Sequence, residues 1–177
     1  GRELEHREYW SLGFEEDHSR AEEEYTEELR STLEDAVKIR LRSDVPIGTY
    51  LSGGIDSSVV STLAARLSGM GLPAFTGYFE DGKAYSELEY AEAVARHNGS
   101  PHTLICPKPE DFQARFSSLI YHMDEPAAGP GAFPQLMVSE RAAKDVKVVL
   151  GGQGGDEIFG GYARYLVLYL EECIRGS

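Results

Sequence analysis

Two glycine-rich stretches carry acids where a loop of backbone amides would cradle an anion. In the first, Leu51-Ser52-Gly53-Gly54-Ile55-Asp56-Ser57-Ser58, two glycines precede an acid and two serines. In the second, Gly151-Gly152-Gln153-Gly154-Gly155-Asp156-Glu157, four glycines crowd around a glutamine ahead of two acids. Glycine lets the backbone approach a ligand closely and tolerates positive φ. Serines that open a helix put amides and hydroxyls at its N-terminus, which suits an anion. The lysine of a GxxxxGK[ST] phosphate loop is missing, and so is a GxGxxG dinucleotide turn. Asp56 stands there instead. A bare carboxylate beside a phosphate is repulsive, but a magnesium ion between them reverses the sign, and Mg2+ is commonly held by one or two carboxylates plus phosphate oxygens. Asp156 can supply the second carboxylate. Glu157 can bind a cationic group or orient a nucleophile, and Arg164 can contact an anion. Read alone, an acid in the first turn of a helix also accounts for Asp56, and a surface loop with incidental acids for the second stretch.

Loops of this kind need a strand before them and a helix after them. Strands are expected at 47–53 (IGTYLSG), 73–79 (PAFTGYF), 102–106 (HTLIC) and 146–152 (VKVVLGG). Helices are expected at Ser57–Leu67, Ser86–Arg96, Asp111–His122 and Phe133–Lys144, with a last one from near Tyr162. Ahead of them a helix is expected over Ser19–Arg42, with Ser19 as its cap and Glu22 as the capping-box partner. Tyr25, Leu29, Leu33 and Val37 recur at helical spacing as its buried stripe. This βαβα alternation predicts a parallel sheet with helices on both faces. In such sheets the ligand crevice lies beyond the carboxyl ends of the strands, where both glycine stretches fall.

The other reactive residues form no pattern. His97, His102 and His122 lack a metal spacing and read as structural. Cys106 and Cys173 belong to no CxxC or Cys/His cluster and read as ordinary thiols. Asp124-Glu125-Pro126 precedes the small-residue run AAGPGAFP and reads either as a pocket wall or as a polar turn. Tyr162 and Tyr165 read as packing for the last helix rather than as platforms for a base.

The chain has 177 residues, 41% of them hydrophobic, and a formal net charge of −13, enough for one domain with a core. The acidity argues against nucleic acid or a membrane surface as the main partner. The polar start GRELEHREYW is no signal peptide, and YLVLYL is too short to span a bilayer, so a cytoplasmic location is expected.

SGGIDSS is the signature of an ATP-pyrophosphatase loop, and YLSGGIDSSVV resembles the form found in asparagine synthetases. VVLGGQGGDEIFGGYARY resembles that family's second motif. HREYW is similar to the linker ahead of its synthetase domain, and the segments 75–100 and 121–142 are similar to the parts between the motifs. The resemblance implies an adenine nucleotide alpha hydrolase-like (HUP-type) fold. It implies that Leu51, Ser52, Gly53, Gly54, Ser57, Ser58, Gly77, Gly151 and Gly152 contact ATP, with Gly77 beside the adenine. Asp56 and Asp156 then hold Mg2+, and Asp56, Asp156, Glu157 and Gln153 carry the chemistry. The implied reaction activates the carboxylate of aspartate, or of a related acid, as an acyl-adenylate with release of pyrophosphate, and ammonia then displaces AMP.

Two departures stand out. Gln153 replaces an acid, so it can hydrogen-bond but cannot act as a base. Gly151 replaces a serine. The resemblance also implies that residues 1–18 lead in from an N-terminal glutaminase domain, and that 19–177 are a synthetase domain cut short at its carboxyl end. Such a piece is expected to bind Mg-ATP weakly and turn over poorly alone. A homodimer is compatible with the pattern. The rival readings are an amide former acting on another acid, such as a β-lactam synthetase-like ring closer or a modifier of a peptide or saccharide, and a non-catalytic ATP-binding domain.

Overall fold

The computed structural model describes residues 5–11, 13, 18–80, 86–124, 129 and 131–176. The elements follow in the order α1 (Glu22–Arg40), β1 (Ile47–Tyr50), α2 (Ile55–Ser68), β2 (Ala74–Gly77), α3 (Leu88–Asn98), β3 (His102–Ile105), α4 (Pro109–Met123), α5 (Ala132–Ala142), β4 (Val148–Leu150), α6 (Gly155–Phe159) and α7 (Ala163–Arg175). The four strands form one parallel sheet in the order β3-β2-β1-β4. The chain therefore steps outward from β1 through β2 to β3, then returns to pair β4 on the other side of β1. The carboxyl ends of β1 and β4 form the switch point where open α/β sheets bind their ligands.

Strand alternation sends successive side chains to opposite faces, and both faces are covered. On one, Leu51 and Ala74 are buried against Ala91 and Ala95 of α3, while Leu150 packs with Ala64 of α2 and Val37 of α1. The alanines and Ser61 let α2 and α3 lie close to the sheet, and Ser61 Oγ bonds Thr49 Oγ1 at 3.2 Å. On the other face Phe75 is buried against Val138 and Ala142 of α5 and against Val146, which follows it. Local signals stop the helices where they end. Gly69 and Gly99 close α2 and α3 in the left-handed conformation, as is common at helix C-termini. Pro109 opens α4, where the Lys108 backbone N–H donates to Asp111 Oδ2 at 2.9 Å.

Four points differ from expectation. Helix α1 starts at Glu22 with Ala21, not Ser19, as its cap residue, and Ala21 offers no side-chain capping bond. The acidic first turn of Glu22, Glu23 and Glu24 faces the helix's positive end directly, and Arg20 reaches back to pair with Glu28 at 2.6 Å. Its stripe keeps the expected phase, but Tyr25 and Leu29 are exposed and only Val37 is buried, because α2 covers the second half of α1 alone. The short helix α6, inside the second glycine stretch, has no counterpart in the expected elements. The strands are also shorter than the apolar runs that contain them.

Helix α7 has no buried residue. Leu166, Val167, Leu168, Tyr169, Leu170 and Ile174 are each more than half exposed. Among the described residues no helix is long and apolar enough to cross a membrane.

His102 is structural, as expected. Thr76, itself buried, donates its hydroxyl to the Leu51 carbonyl, so His102 Nε2 must be the donor in its 2.7 Å bond to Thr76 Oγ1. Burial holds the imidazole pKa below its ordinary value, with Glu92 opposing. A base whose folded pKa lies below its unfolded value binds fewer protons when folded, so its contribution to stability is present above the unfolded pKa of about 6.5 and is lost as pH falls below it. The melting temperature should therefore drop between pH 7.5 and 5.5 by more in the wild type than in His102→Gln, which keeps the donor without the titration. Parallel pH profiles for the two proteins would refute this.

Candidate active site

The two glycine stretches meet at the switch point. The first runs from β1 into α2, whose cap residue is Gly54 and whose first turn contains Asp56. The second runs from β4 into α6, with Asp156 and Glu157 in its first turn. They line one cavity of about 790 Å³, within the usual range for small-molecule sites.

The contact between the stretches demands glycine. A Cβ at Gly152 would lie 2.6 Å from the Asp56 carbonyl carbon and from the Ser57 nitrogen, and one at Gly155 would collide with the Asp56 carboxylate. The backbone of the β4 loop thus lies directly against Asp56. Gly53 has φ +100, and a Cβ there would collide with the Glu87 carbonyl. The start of α3 therefore closes on the first loop from the side opposite β4.

Of the expected site residues, Ser52, Gly54, Asp56, Ser57, Gly151, Gly152, Gln153, Asp156 and Glu157 all line the cavity. Leu51, Gly53, Ser58 and Gly77 do not. Leu51 is fully buried beneath α3. Gly77 ends β2, where a Cβ would meet Val138 Cγ2 at 2.9 Å. The Ser57 hydroxyl does not point outward with the helix as expected. Ser57 Oγ donates back to the Gly54 carbonyl at 3.1 Å and sits 2.9 Å from Ser52 Oγ, while the Ser52 N–H donates to Ser57 Oγ at 3.2 Å. A serine in a first turn closes such local bonds readily, and here they fix the shape of the loop. The Ser58 N–H is taken by the Gly54 carbonyl at 3.1 Å.

Tyr162 is no mere packing residue. It precedes α7 instead of lying on its face, lines the cavity, and donates its hydroxyl to Glu157 Oε1 at 2.8 Å. That bond is the main reason the Glu157 carboxyl is held below the usual carboxylate range and the Tyr162 hydroxyl is pushed up. Arg164 lies over the Tyr162 ring at 4.1 Å and near Tyr165 at 5.4 Å. Gln153 folds back over Gly151, where a Cβ would lie 2.7 Å from its Oε1. Asp124 is the left-handed cap of α4 and does not line the cavity, so the polar-turn reading holds for it; Glu125 lies outside the described residues. Cys106 and Cys173 are both free thiols.

The sequence reading missed Tyr50, Glu87 and Gln135. Tyr50 Oη bonds Ser139 Oγ of α5 at 2.8 Å, and Ser139 Oγ donates to the Gln135 carbonyl at 2.6 Å. Tyr50 ends β1, Glu87 precedes α3 and Gln135 lies on α5.

Asp56 and Asp156 both reach this cavity, and one or two carboxylates suffice for Mg2+ when phosphate oxygens complete the shell. Among the described residues no group of three or more His, Cys, Asp and Glu side chains is placed to hold a metal ion.

The family model described as Asparagine synthase matches residues 28–175. A putative glutamine-hydrolysing asparagine synthetase of Methanocaldococcus jannaschii is 43% identical over 150 residues, 84% of this chain and 29% of that protein. The amidase chyE of Penicillium rubens is 33% identical over 181 aligned positions, 93% of this chain and 27% of that protein. The chain thus spans less than a third of the length of the curated relatives it matches. An ammonia-dependent NAD synthetase from Campylobacter jejuni, solved with a nitrate ion, superposes with a TM-score of 0.51 over 77% of this chain and 60% of that one at 19% identity. That likeness concerns the fold alone, a parallel sheet with helices on both faces.

Proposed function

Because the chain belongs to the asparagine synthase family, we propose that its two glycine loops bind ATP for the formation of an amide through an acyl-adenylate. One observation carries the reading. The β4 loop packs so tightly on Asp56 that only glycine fits, which sets a carboxylate at the seam of two amide-rich loops in a cavity of ligand size.

In this reading the triphosphate lies along Ser52–Ser57 and Gly151–Gly155, facing the first-turn amides of α2 that have no intrahelical partner. Asp56 and Asp156 hold Mg2+, which supplies charge neutralisation at the phosphates. The carboxylate of aspartate, or of a related acid, attacks the α-phosphorus; the bond to the bridging oxygen breaks and pyrophosphate leaves. Ammonia then attacks the acyl carbon and AMP departs. Glu157, held by Tyr162, faces the amine-bearing reactant. The chain's part is positioning and electrostatics. Residues 1–18 serve as a lead-in from a glutaminase domain, and residues 19–177 as the synthetase domain.

A second reading keeps ATP but changes the acid. It is favoured by the neutral Gln153, folded over Gly151 at the cavity wall, and by the likeness to an amidase. A non-catalytic nucleotide-binding role is opposed by the two acids, which a site relieved of chemistry has no need to keep beside phosphates.

The test is calorimetric titration of the chain with ATP in the presence of Mg2+ and again with EDTA. Binding is expected only with the metal. Equal binding in EDTA would remove magnesium from the reading, and no binding in either would remove ATP. AMP formation that does not depend on aspartate, in the full-length protein, would favour the second reading.

A further inference from the structure

Glu87 lines the same cavity, and nothing in the chemistry above uses it. It is the residue before α3, and its carbonyl and Cβ press on Gly53 of the first loop. Its carboxylate reaches toward the cap of α2, with Oε2 3.5 Å from where a Cβ on Gly54 would be. It makes no capping bond to its own helix. Among the described residues no hydrogen bond or ion pair engages this carboxylate.

Topology sets Glu87 apart from the other acids. Helix α3 follows β2, and the second loop follows β4; β2 and β4 flank β1 on opposite sides. Glu87 and Asp156 therefore approach the first loop from opposite directions. An ionised carboxylate is an acceptor only. Beside a polyphosphate it is repelled unless it faces a metal or a donor, and the two acids suited to the metal lie on the β4 side. ATP itself carries donors at the two ribose hydroxyls and at the adenine amine. Of these, the ribose adjoins the phosphates and is within reach of a residue that touches the phosphate loop.

We propose that Glu87 is a specificity-determining residue whose carboxylate accepts hydrogen bonds from the ribose hydroxyls of the bound nucleotide. The assignment rests on the ATP reading above. It makes the site selective for a ribonucleotide, and it explains why α3 begins against the anion loop.

The experiment is calorimetry in Mg2+ with three probes, ATP, 2′,3′-dideoxy-ATP and inorganic pyrophosphate, on the wild-type chain and on Glu87→Ala. Loss of a hydrogen bond to a charged group should weaken ATP by about tenfold or more. The wild type should bind dideoxy-ATP about as weakly as Glu87→Ala binds ATP, while pyrophosphate binds both proteins alike. The comparison of ATP with dideoxy-ATP on the wild type needs no variant to fold. Equal affinity of the wild type for ATP and dideoxy-ATP would overturn the proposal. So would a parallel loss of pyrophosphate in Glu87→Ala, which would move Glu87 to the metal or the loop. If the wild type binds neither ATP nor pyrophosphate, the ATP reading itself fails and the assignment goes with it.

Discussion

Asp56→Asn is expected to weaken magnesium-dependent ATP binding by roughly a hundredfold or more. Asparagine keeps the size and the place in the first turn of α2 but removes the charge that a divalent cation needs. Partners one shell removed from a metal are already worth about 10–100-fold in affinity, and Asp56 is proposed as a direct ligand. The competing account, a helix-end acid, predicts a different result. An acid near a helix N-terminus is worth about 0.3–1 kcal/mol of stability, so that account allows a small loss in melting temperature and no loss of affinity. Titration of both proteins with ATP in Mg2+, paired with thermal melts, separates the two. Unchanged affinity with a slightly lower melting temperature would return Asp56 to the helix end.

The second large effect is expected from a single methyl group. Gly152→Ala places a Cβ 2.6 Å from the Asp56 carbonyl carbon and the Ser57 nitrogen. Both are backbone atoms at the start of a helix, so neither can turn aside as a flexible side chain would. The β4 loop must withdraw from the first loop, carrying Asp156 and Glu157 with it. Overpacking of this kind costs about 1–3 kcal/mol, or about 2–12 °C in melting temperature for a chain of this size. Affinity for Mg-ATP should suffer far more, by about a hundredfold, because displacement of about an ångström is enough to ruin a positioned site. A variant that melts lower but binds Mg-ATP like the wild type would show that the seam is packing and nothing else.

The sequence was legible where the cause of the structure is local. Glycines at a turn, a short apolar stretch ahead of them and a helical apolar pattern after them mark β1, the first loop and α2 without reference to anything distant. Boundaries were less legible because they depend on neighbours. Leu51 reads as strand since it is apolar, yet β1 ends at Tyr50, and Leu51 is buried because the alanines of α3 lie over it. Tyr25 and Leu29 read as core since they share a period with Val37, but both stay exposed, and Tyr25 lies under the Arg20 guanidinium at 4.6 Å. Within the site, motif chemistry pointed to Asp56, Asp156 and Glu157 and to Gly54, Gly151 and Gly152, which line the cavity, and also to Gly53 and Gly77, which do not. Tyr50, Glu87 and Gln135 were not legible, because they come from β1, the start of α3 and α5, and only the sheet order brings them to one cavity. Ser57 was misread because its hydroxyl had a nearer partner, the carbonyl three residues back, than any ligand. Tyr162 was misread because the turn before α7 aims it at Glu157 rather than along the helix.

The return of the chain to β4 beside β1 has a kinetic consequence. The strand pairs β1–β2 and β2–β3 join segments that are near one another along the chain, whereas β1–β4 pairs residues about a hundred positions apart. Closing so long a loop carries the largest entropy cost of the sheet and slows folding. The two halves of the cavity therefore come together only when this pairing forms. A ligand that grips both loops acts as a clasp on the step with the highest cost, and by mass action it stabilises the whole sheet rather than one edge of it.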